Sequence, residues 1–221
     1  MSQHFNPGAL YDFDRQKGSQ GIIIAGVDEA GRGPLAGPVV AAAVCLDLEN
    51  PIDGINDSKK LSPARREILY DLITSRALSW AVGIVSAEEI DRINILRATL
   101  KAMKLALDNL SSPWDRALID GNQMVTSLDV GRQECVVKGD AKSASIAAAS
   151  ICAKVTRDRM MNDYDLSFPG YDFSVHKGYG TDRHRARIVE NGLSPIHRKT
   201  FCRNCVAGDE IPDMIMCDSR M

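Results

Sequence analysis

The chain has 221 residues, a length suited to one sizeable domain, and its 44% hydrophobic and 25% charged residues are those of a globular protein rather than a disordered or fibrous one. No stretch approaches the roughly 18 apolar residues of a membrane span. The opening MSQHFNPGALYDFDRQKGSQ is too polar for a signal peptide, so the expected location is cytoplasmic. Net charge is only −2, but it is unevenly spread: residues 138–203 carry 12 Lys and Arg against 7 Asp and Glu. A basic third of this kind is compatible with a nucleic-acid surface, or with no more than a solvated face.

Residues 1–20 read as a polar N-terminal extension. Residues 21–27 (GIIIAGV) and 38–46 (PVVAAAVCL) are short, β-branched apolar runs around a Gly/Pro-rich turn, and predict neighbouring buried strands. The spacing over 62–77 predicts a helix with Ile68, Leu69, Leu72 and Ile73 on one face, Ser62 as N-cap and Pro63 at the first helical position. Residues 80–85 read as a third strand. Residues 95–110 predict an amphipathic helix with a stripe through Leu96, Leu100, Met103 and Leu107. Two brief strands follow at 117–119 and 135–137, then a long helix over 141–161 whose SASIAAASICA segment would let it lie close on a sheet. Further helices are predicted at 181–190 and 195–203. Strands alternating with helices point to one α/β domain with a mixed sheet over 21–203, followed by a tail at 204–221.

The sharpest chemical feature is four acids tied to strand ends: Asp28 and Glu29 close the first strand, Asp120 closes a later one, and Asp140 sits between a strand and a helix. Buried carboxylates are costly unless compensated, and clustered hard oxygens call for Mg²⁺ or Mn²⁺. Each acid also has a duller explanation: Asp140 as a helix cap, Asp120-Gly121 as a turn, Asp28-Glu29 as the start of a solvated loop. Adjacent strand residues point to opposite faces, so Asp28 and Glu29 share a site only if the strand bends or ends there. The glycine-rich turn at 31–37 is not a dinucleotide loop. Its spacing is not G-x-G-x-x-G, Pro34 stands where a helix should open, and the acidic pair would repel pyrophosphate. It reads better as a tight turn bringing backbone N–H groups and Arg32 to a sugar-phosphate backbone.

Cys45, Cys135 and Cys152 read as small core residues in a chain expected to keep its thiols reduced. Cys202 and Cys205 with Cys217 and His197 could be arranged around zinc, but the pattern lacks a second close pair. No G-x-S-x-G elbow offers a nucleophile.

GVDEAGRGPLAGPVVAAAV closely resembles the N-terminal signature of prokaryotic ribonuclease HII. So do Asp57-Ser58-Lys59-Lys60-Leu61, Ile119-Asp120-Gly121-Asn122 and Lys138-Gly139-Asp140. The match continues through AASICAKVTRDRMM and His176-Lys177-Gly178-Tyr179-Gly180-Thr181, and ends at His197-Arg198-Lys199-Thr200-Phe201. The motifs run in the family's order from about residue 21 to 201.

The resemblance implies a ribonuclease H-like fold, a mixed central sheet flanked by helices, with a C-terminal helical extension. It implies an endonuclease that hydrolyses the RNA strand of RNA–DNA hybrids and cuts 5′ of single ribonucleotides in duplex DNA, leaving 5′-phosphate and 3′-hydroxyl ends. It places the metal ligands on Asp28, Glu29, Asp120 and Asp140, with two Mg²⁺ or Mn²⁺ ions expected beside substrate. It places readers of the ribonucleotide on Gly31, Arg32, Gly33 and Tyr179, with Lys59 and Lys177 near phosphates. A monomer is expected, and the tail leaves room for a partner such as a sliding clamp. Ribonuclease HIII is disfavoured because twenty residues cannot supply its separate N-terminal domain. A junction resolvase would share the carboxylates but not the substrate. A silent hybrid-binding module would be easier to credit if one of the four acids were missing.

Overall fold

The computed structural model describes residues 7–18, 21–203 and 205. Its sheet has five strands: β1 (Ile24–Ala30), β2 (Val39–Cys45), β3 (Ser79–Val85), β4 (Arg116–Asp120) and β5 (Gln133–Val136). Their order is β3-β2-β1-β4-β5. β1 pairs antiparallel with β2 and parallel with β4, β2 pairs antiparallel with β3, and β4 pairs parallel with β5. The sheet is therefore mixed, with β1 at its centre.

β2 is apolar throughout because both its faces are covered. Ala41, Ala43 and Cys45 join the layer under α4 (Ile95–Asp108), while Ala42 and Val44 join the layer under α5 (Ala144–Ser167). Small residues bring α5 down onto the sheet, and Gly26 is what lets it settle there. A β-carbon on Gly26 would lie 2.1 Å from the Ser145 carbonyl carbon.

The helix α2 (Pro63–Arg76) begins as the sequence indicates, with Pro63 in its first turn and the Ser62 hydroxyl accepting from Arg65 N. Two stripe assignments do not hold: Ile68 and Leu96 are 52% and 40% exposed, and Thr99, Ala102 and Ala106 complete the buried face of α4 instead. The long helix starts three residues later than expected. Residues Gly139–Ala141 form a 3-10 turn, and Ser143 caps α5 by accepting from Ile146 N. Asp140 is thus not the cap of this helix.

α7 (Asp182–Asn191) falls on the helix expected over 181–190, and the Thr181 hydroxyl caps it by accepting from His184 N. Residues 195–203 form turns rather than a helix. The short helices α3 (Ala87–Ile93) and α6 (Phe173–His176) carry too few periodic positions to show in sequence. So does α1 (Pro7–Lys17), which lies within the stretch read as an extension. It packs on α5 through Leu10 and Tyr11, and its buried Asp14 accepts from Ser145 N at 2.7 Å. No helix among the described residues is long and apolar enough to cross a membrane.

Candidate active site

The parallel ladder between β1 and β4 ends at the pair Val27 and Ile119. The next residue on each strand is an aspartate, so strand register alone sets Asp28 and Asp120 side by side at one end of the sheet. β1 runs on through Glu29 to Ala30, and Gly31, with φ of +98°, then turns the chain away. Asp28, Glu29 and Asp120 all border one cavity of about 250 Å³, shared with Arg32, Gly33, Ser58, Lys59, Arg66, Ser150, Lys154 and Tyr179. Asp140 follows β5 on the 3-10 turn, and its Oδ2 is 3.4 Å from the Lys59 ammonium. A larger groove of about 330 Å³ runs along Arg97, Lys101 and Lys104 on α4, but no acid lines it.

The acids are under strain from one another. Asp28 is 5% exposed, and burial, then the charges of Glu29 and Asp120, push its carboxyl well above the usual range; hydrogen bonding from Ser150 opposes this. Burial also raises Glu29, with Arg32 lowering it and Asp120 raising it further. Burial raises Asp120 as well, although the Gly139 N–H donates to its Oδ1 at 2.6 Å. Burial pulls the Lys59 ammonium down, but Asp140 and Asp28 outweigh this and raise it.

The residues fit a hard divalent cation in kind. They are oxygen donors, largely buried, with mutual repulsion that a cation would relieve. They are not a closed cage, however: among the described residues no three His, Cys, Asp or Glu side chains are placed to hold a metal ion as they stand. Binding would therefore require side-chain adjustment about backbones that are already in position.

The Gly31–Gly33 segment belongs to a turn held by two buried arginines. Arg157 donates to the carbonyls of Ala36, Pro38 and Lys177, and Arg198 to those of Gly31, Arg32 and Gly37. Both guanidinium groups are at most 1% exposed. Burial, with Arg157 nearby, pushes Arg198 down to about 9, so it stays charged at neutral pH.

Gly31 is glycine for this clamp, since a β-carbon there would sit 2.2 Å from Arg157 Nε. A β-carbon on Gly33 would meet nothing within 4 Å. Nothing inside the protein requires that glycine, and this is what a close approach by something outside would demand. Tyr179 is 44% exposed over the cavity, with the Arg157 guanidinium 5.9 Å from its ring centre.

Lys177 is the one expected substrate contact that is not brought to the cavity. Its ammonium is held by the Asn162 side chain and the Ser174 carbonyl. Ser58, Arg66, Ser150, Lys154, Arg157 and Arg198 are given no role by the sequence, although all but Arg66 fall within the motifs that carry the resemblance. Periodicity singles out Arg157, which follows Ser150 and Ala153 on the buried stripe of α5, where an arginine must find partners. For the zinc arrangement, His197 bonds Ser194 and His184, the Cys202 thiol donates to Leu35 O at 3.7 Å, and Cys217 lies outside the described residues.

Solved structures share this architecture. Ribonuclease H2 from Pyrococcus horikoshii superposes with a TM-score of 0.69 at 29% identity, over 83% of this chain and 97% of that one. The ribonuclease HII in a complex with PCNA from Archaeoglobus fulgidus gives 0.63 at 29% identity, over 80% and 94%. Fold and strand-end acids together define a hydrolase of the ribonuclease H class.

Sequence comparison narrows the class. The ribonuclease HII family model matches residues 25–204. Ribonuclease HII of Geobacter sulfurreducens is 55% identical over 91% of this chain and 92% of its own length, and that of Clostridioides difficile 52% over 83% and 71%. The chain belongs to the ribonuclease HII family, phosphodiester hydrolases of the RNA strand in RNA–DNA hybrids.

Proposed function

We propose that the chain nicks duplex DNA on the 5′ side of a single embedded ribonucleotide, as well as cutting longer hybrids, leaving 5′-phosphate and 3′-hydroxyl ends. The observation that carries this reading is the shared cavity: three strand-end acids face the same space as Tyr179 and the open side of Gly33. Asp28, Glu29, Asp120 and Asp140 would hold divalent cations, Mg²⁺ or Mn²⁺, two beside substrate. When bound, such cations supply an activated water and stabilise the leaving 3′-oxygen.

The chain's own residues do the remaining work. Lys59, Arg32 and Lys154 put positive charge at the cavity rim, where phosphates would lie. Such contacts hold a backbone without telling RNA from DNA. Discrimination falls to groups that can meet a 2′-hydroxyl. The phenol of Tyr179 offers a flat face and a hydrogen-bonding oxygen, and the Gly31–Gly33 backbone offers close approach from the other side.

The free thiols among the described residues suit a reducing cytoplasm, and a monomer is proposed. A clamp partner is proposed by likeness to the archaeal relative solved with PCNA. The deciding assay compares cleavage of a singly ribo-substituted duplex, a full hybrid and plain DNA, with Mg²⁺ and then Mn²⁺. Cleavage of the full hybrid alone would overturn the single-ribonucleotide reading, and cleavage of plain DNA would return the resolvase alternative.

A further inference from the structure

Behind Tyr179 lies a stack of buried histidines that no step of the proposed reaction uses. His176, His184 and His197 are each at most 8% exposed and pack around Phe173, with the His176 and His184 rings 4.2 Å apart. The Nε2 atoms of His184 and His197 are 3.0 Å apart, so one must donate and the other accept.

The direction is fixed independently from both ends. The Ser194 backbone N–H donates to His197 Nδ1 at 2.9 Å, which leaves the His197 proton on Nε2. His184 Nδ1 stands 2.9 Å from the Tyr179 carbonyl, which can only accept, so the His184 proton is on Nδ1 and its Nε2 keeps a lone pair. Both constraints give one chain of donors: Ser194 N–H to His197, His197 to His184, His184 to the Tyr179 carbonyl. A second proton on either ring would set N–H against N–H. In keeping with this, burial pushes both imidazoles down to about 4.

The neighbouring backbone is tied as well. Gly178 N donates to His176 Nδ1 at 3.2 Å, and the Gly178 carbonyl accepts from Leu35 N at 2.8 Å, in the same turn that carries Gly31–Gly33.

We propose that His184 and His197 are positioning residues for ribonucleotide discrimination: as a neutral pair of fixed tautomers they set the backbone of Tyr179, and so the angle at which its ring faces the 31–33 turn. This rests on reading Tyr179 as the residue that meets the sugar. A purely structural stack would matter to stability alone, and two near-isosteric variants separate the cases. His184→Asn keeps an amide donor near the Nδ1 position, facing the Tyr179 carbonyl, and drops the bond to His197. His184→Gln keeps an acceptor near the Nε2 position for His197 and drops the donor to Tyr179. Both lose the stacking on His176.

The experiment measures single-turnover cleavage of a singly ribo-substituted duplex with Mg²⁺, together with binding to plain duplex DNA and Tm, for both variants and for Tyr179→Ala. The loss of one neutral hydrogen bond predicts about a threefold to tenfold slower rate in His184→Gln. His184→Asn should stay within about threefold of the parent, and DNA binding should not change in either. If both variants slow equally, in step with Tm, while Tyr179→Ala is defective, the positioning role fails and the Tyr179 reading survives. If Tyr179→Ala cuts at the normal rate, both fail. A third measurement needs no variant. Long-range ¹⁵N–¹H spectra of the full chain at pH 7 should show protons on His184 Nδ1 and His197 Nε2, and either the reverse tautomers or a charged ring would overturn the proposal.

Discussion

The cavity has two walls, held in opposite ways. On one, Asp28, Glu29 and Asp120 stand together with burial and mutual repulsion raising every carboxyl, and few partners to absorb the charge. On the other, the 31–38 turn is gripped by Arg157 and Arg198, whose hydrogen bonds go to main-chain carbonyls. The arginines therefore use their donors to fix shape, and the proposed phosphate contacts fall to Lys59, Lys154 and Arg32 at the cavity rim. The wall proposed to recognise substrate is finished on folding. The wall proposed to do chemistry is completed only by cations. Preorganisation is most valuable where a sugar must be told from a sugar lacking one oxygen, while adjustable carboxylates suit a changing coordination shell.

Substitutions can test that contrast. The largest effect is expected of Asp120→Asn, which should lower cleavage by on the order of a hundredfold or more at saturating Mg²⁺, as loss of a metal ligand does. Without metal the same change should raise Tm, because it removes one of the repelling charges. Full activity in this variant would remove Asp120 from the site.

On the opposite wall, Gly31→Ala should cost about 2–4 kcal/mol, from a left-handed backbone and a clash with Arg157. Gly33→Ala should leave stability within about 0.5 kcal/mol yet slow cutting at a single ribonucleotide. Thermal unfolding and cleavage measured on the pair would break the contrast if Gly33→Ala unfolded early or cut normally.

A smaller effect is expected from pH. The folded acids hold protons more tightly than the unfolded chain, so their contribution is present at low pH and is lost as pH rises through the raised values. His184 and His197 act in the other direction. Their pKa of about 4 lies below the ordinary 6.5, so their contribution is complete above 6.5 and fades as pH falls toward 4. Tm curves taken with chelator and with Mg²⁺ should share the acid limb and separate as pH rises. A gap independent of pH would contradict the raised carboxyls.

The smallest effect is expected of Lys177→Ala. With its ammonium tied to Asn162 and Ser174, the change should cost less than about threefold in cleavage. If the lysine does reach a phosphate, the salt dependence of binding should lose about one unit of slope.

The sheet and major helices were legible because their signals are local. β2 is apolar end to end, Ser62-Pro63 opens α2, and the stripe through Leu100, Met103 and Leu107 marks α4. The acids were legible by their place near the strand ends, although periodicity argued against Asp28 and Glu29 sharing a site; β1 runs unbroken through both to Ala30, yet both border the same cavity. What stayed hidden was long-range. Arg198 sits in a stretch that reads as a helix, and its partners lie far away at Gly31, Arg32 and Gly37. The helix expected over 195–203 yields to turns, where His197 and Arg198 are drawn inward to buried partners rather than arrayed along one face. α1 was masked by its polarity, since beside Leu10 and Tyr11 it buries Asp14, which is held by a hydrogen bond from Ser145 N.

Arg198 is also the last part of the clamp to be made. Its bond to the Gly31 carbonyl joins positions 167 residues apart. During synthesis, at about 5–20 residues per second, the turn waits roughly 8–30 s for the side chain that fixes it. A nascent chain ending before residue 198 carries all four carboxylates and Arg157, but not the second arginine of the clamp on the 31–38 turn. In a cell where ribosomes work close to transcribed DNA, an incomplete polypeptide would thus hold only loosely the turn proposed to choose where to cut.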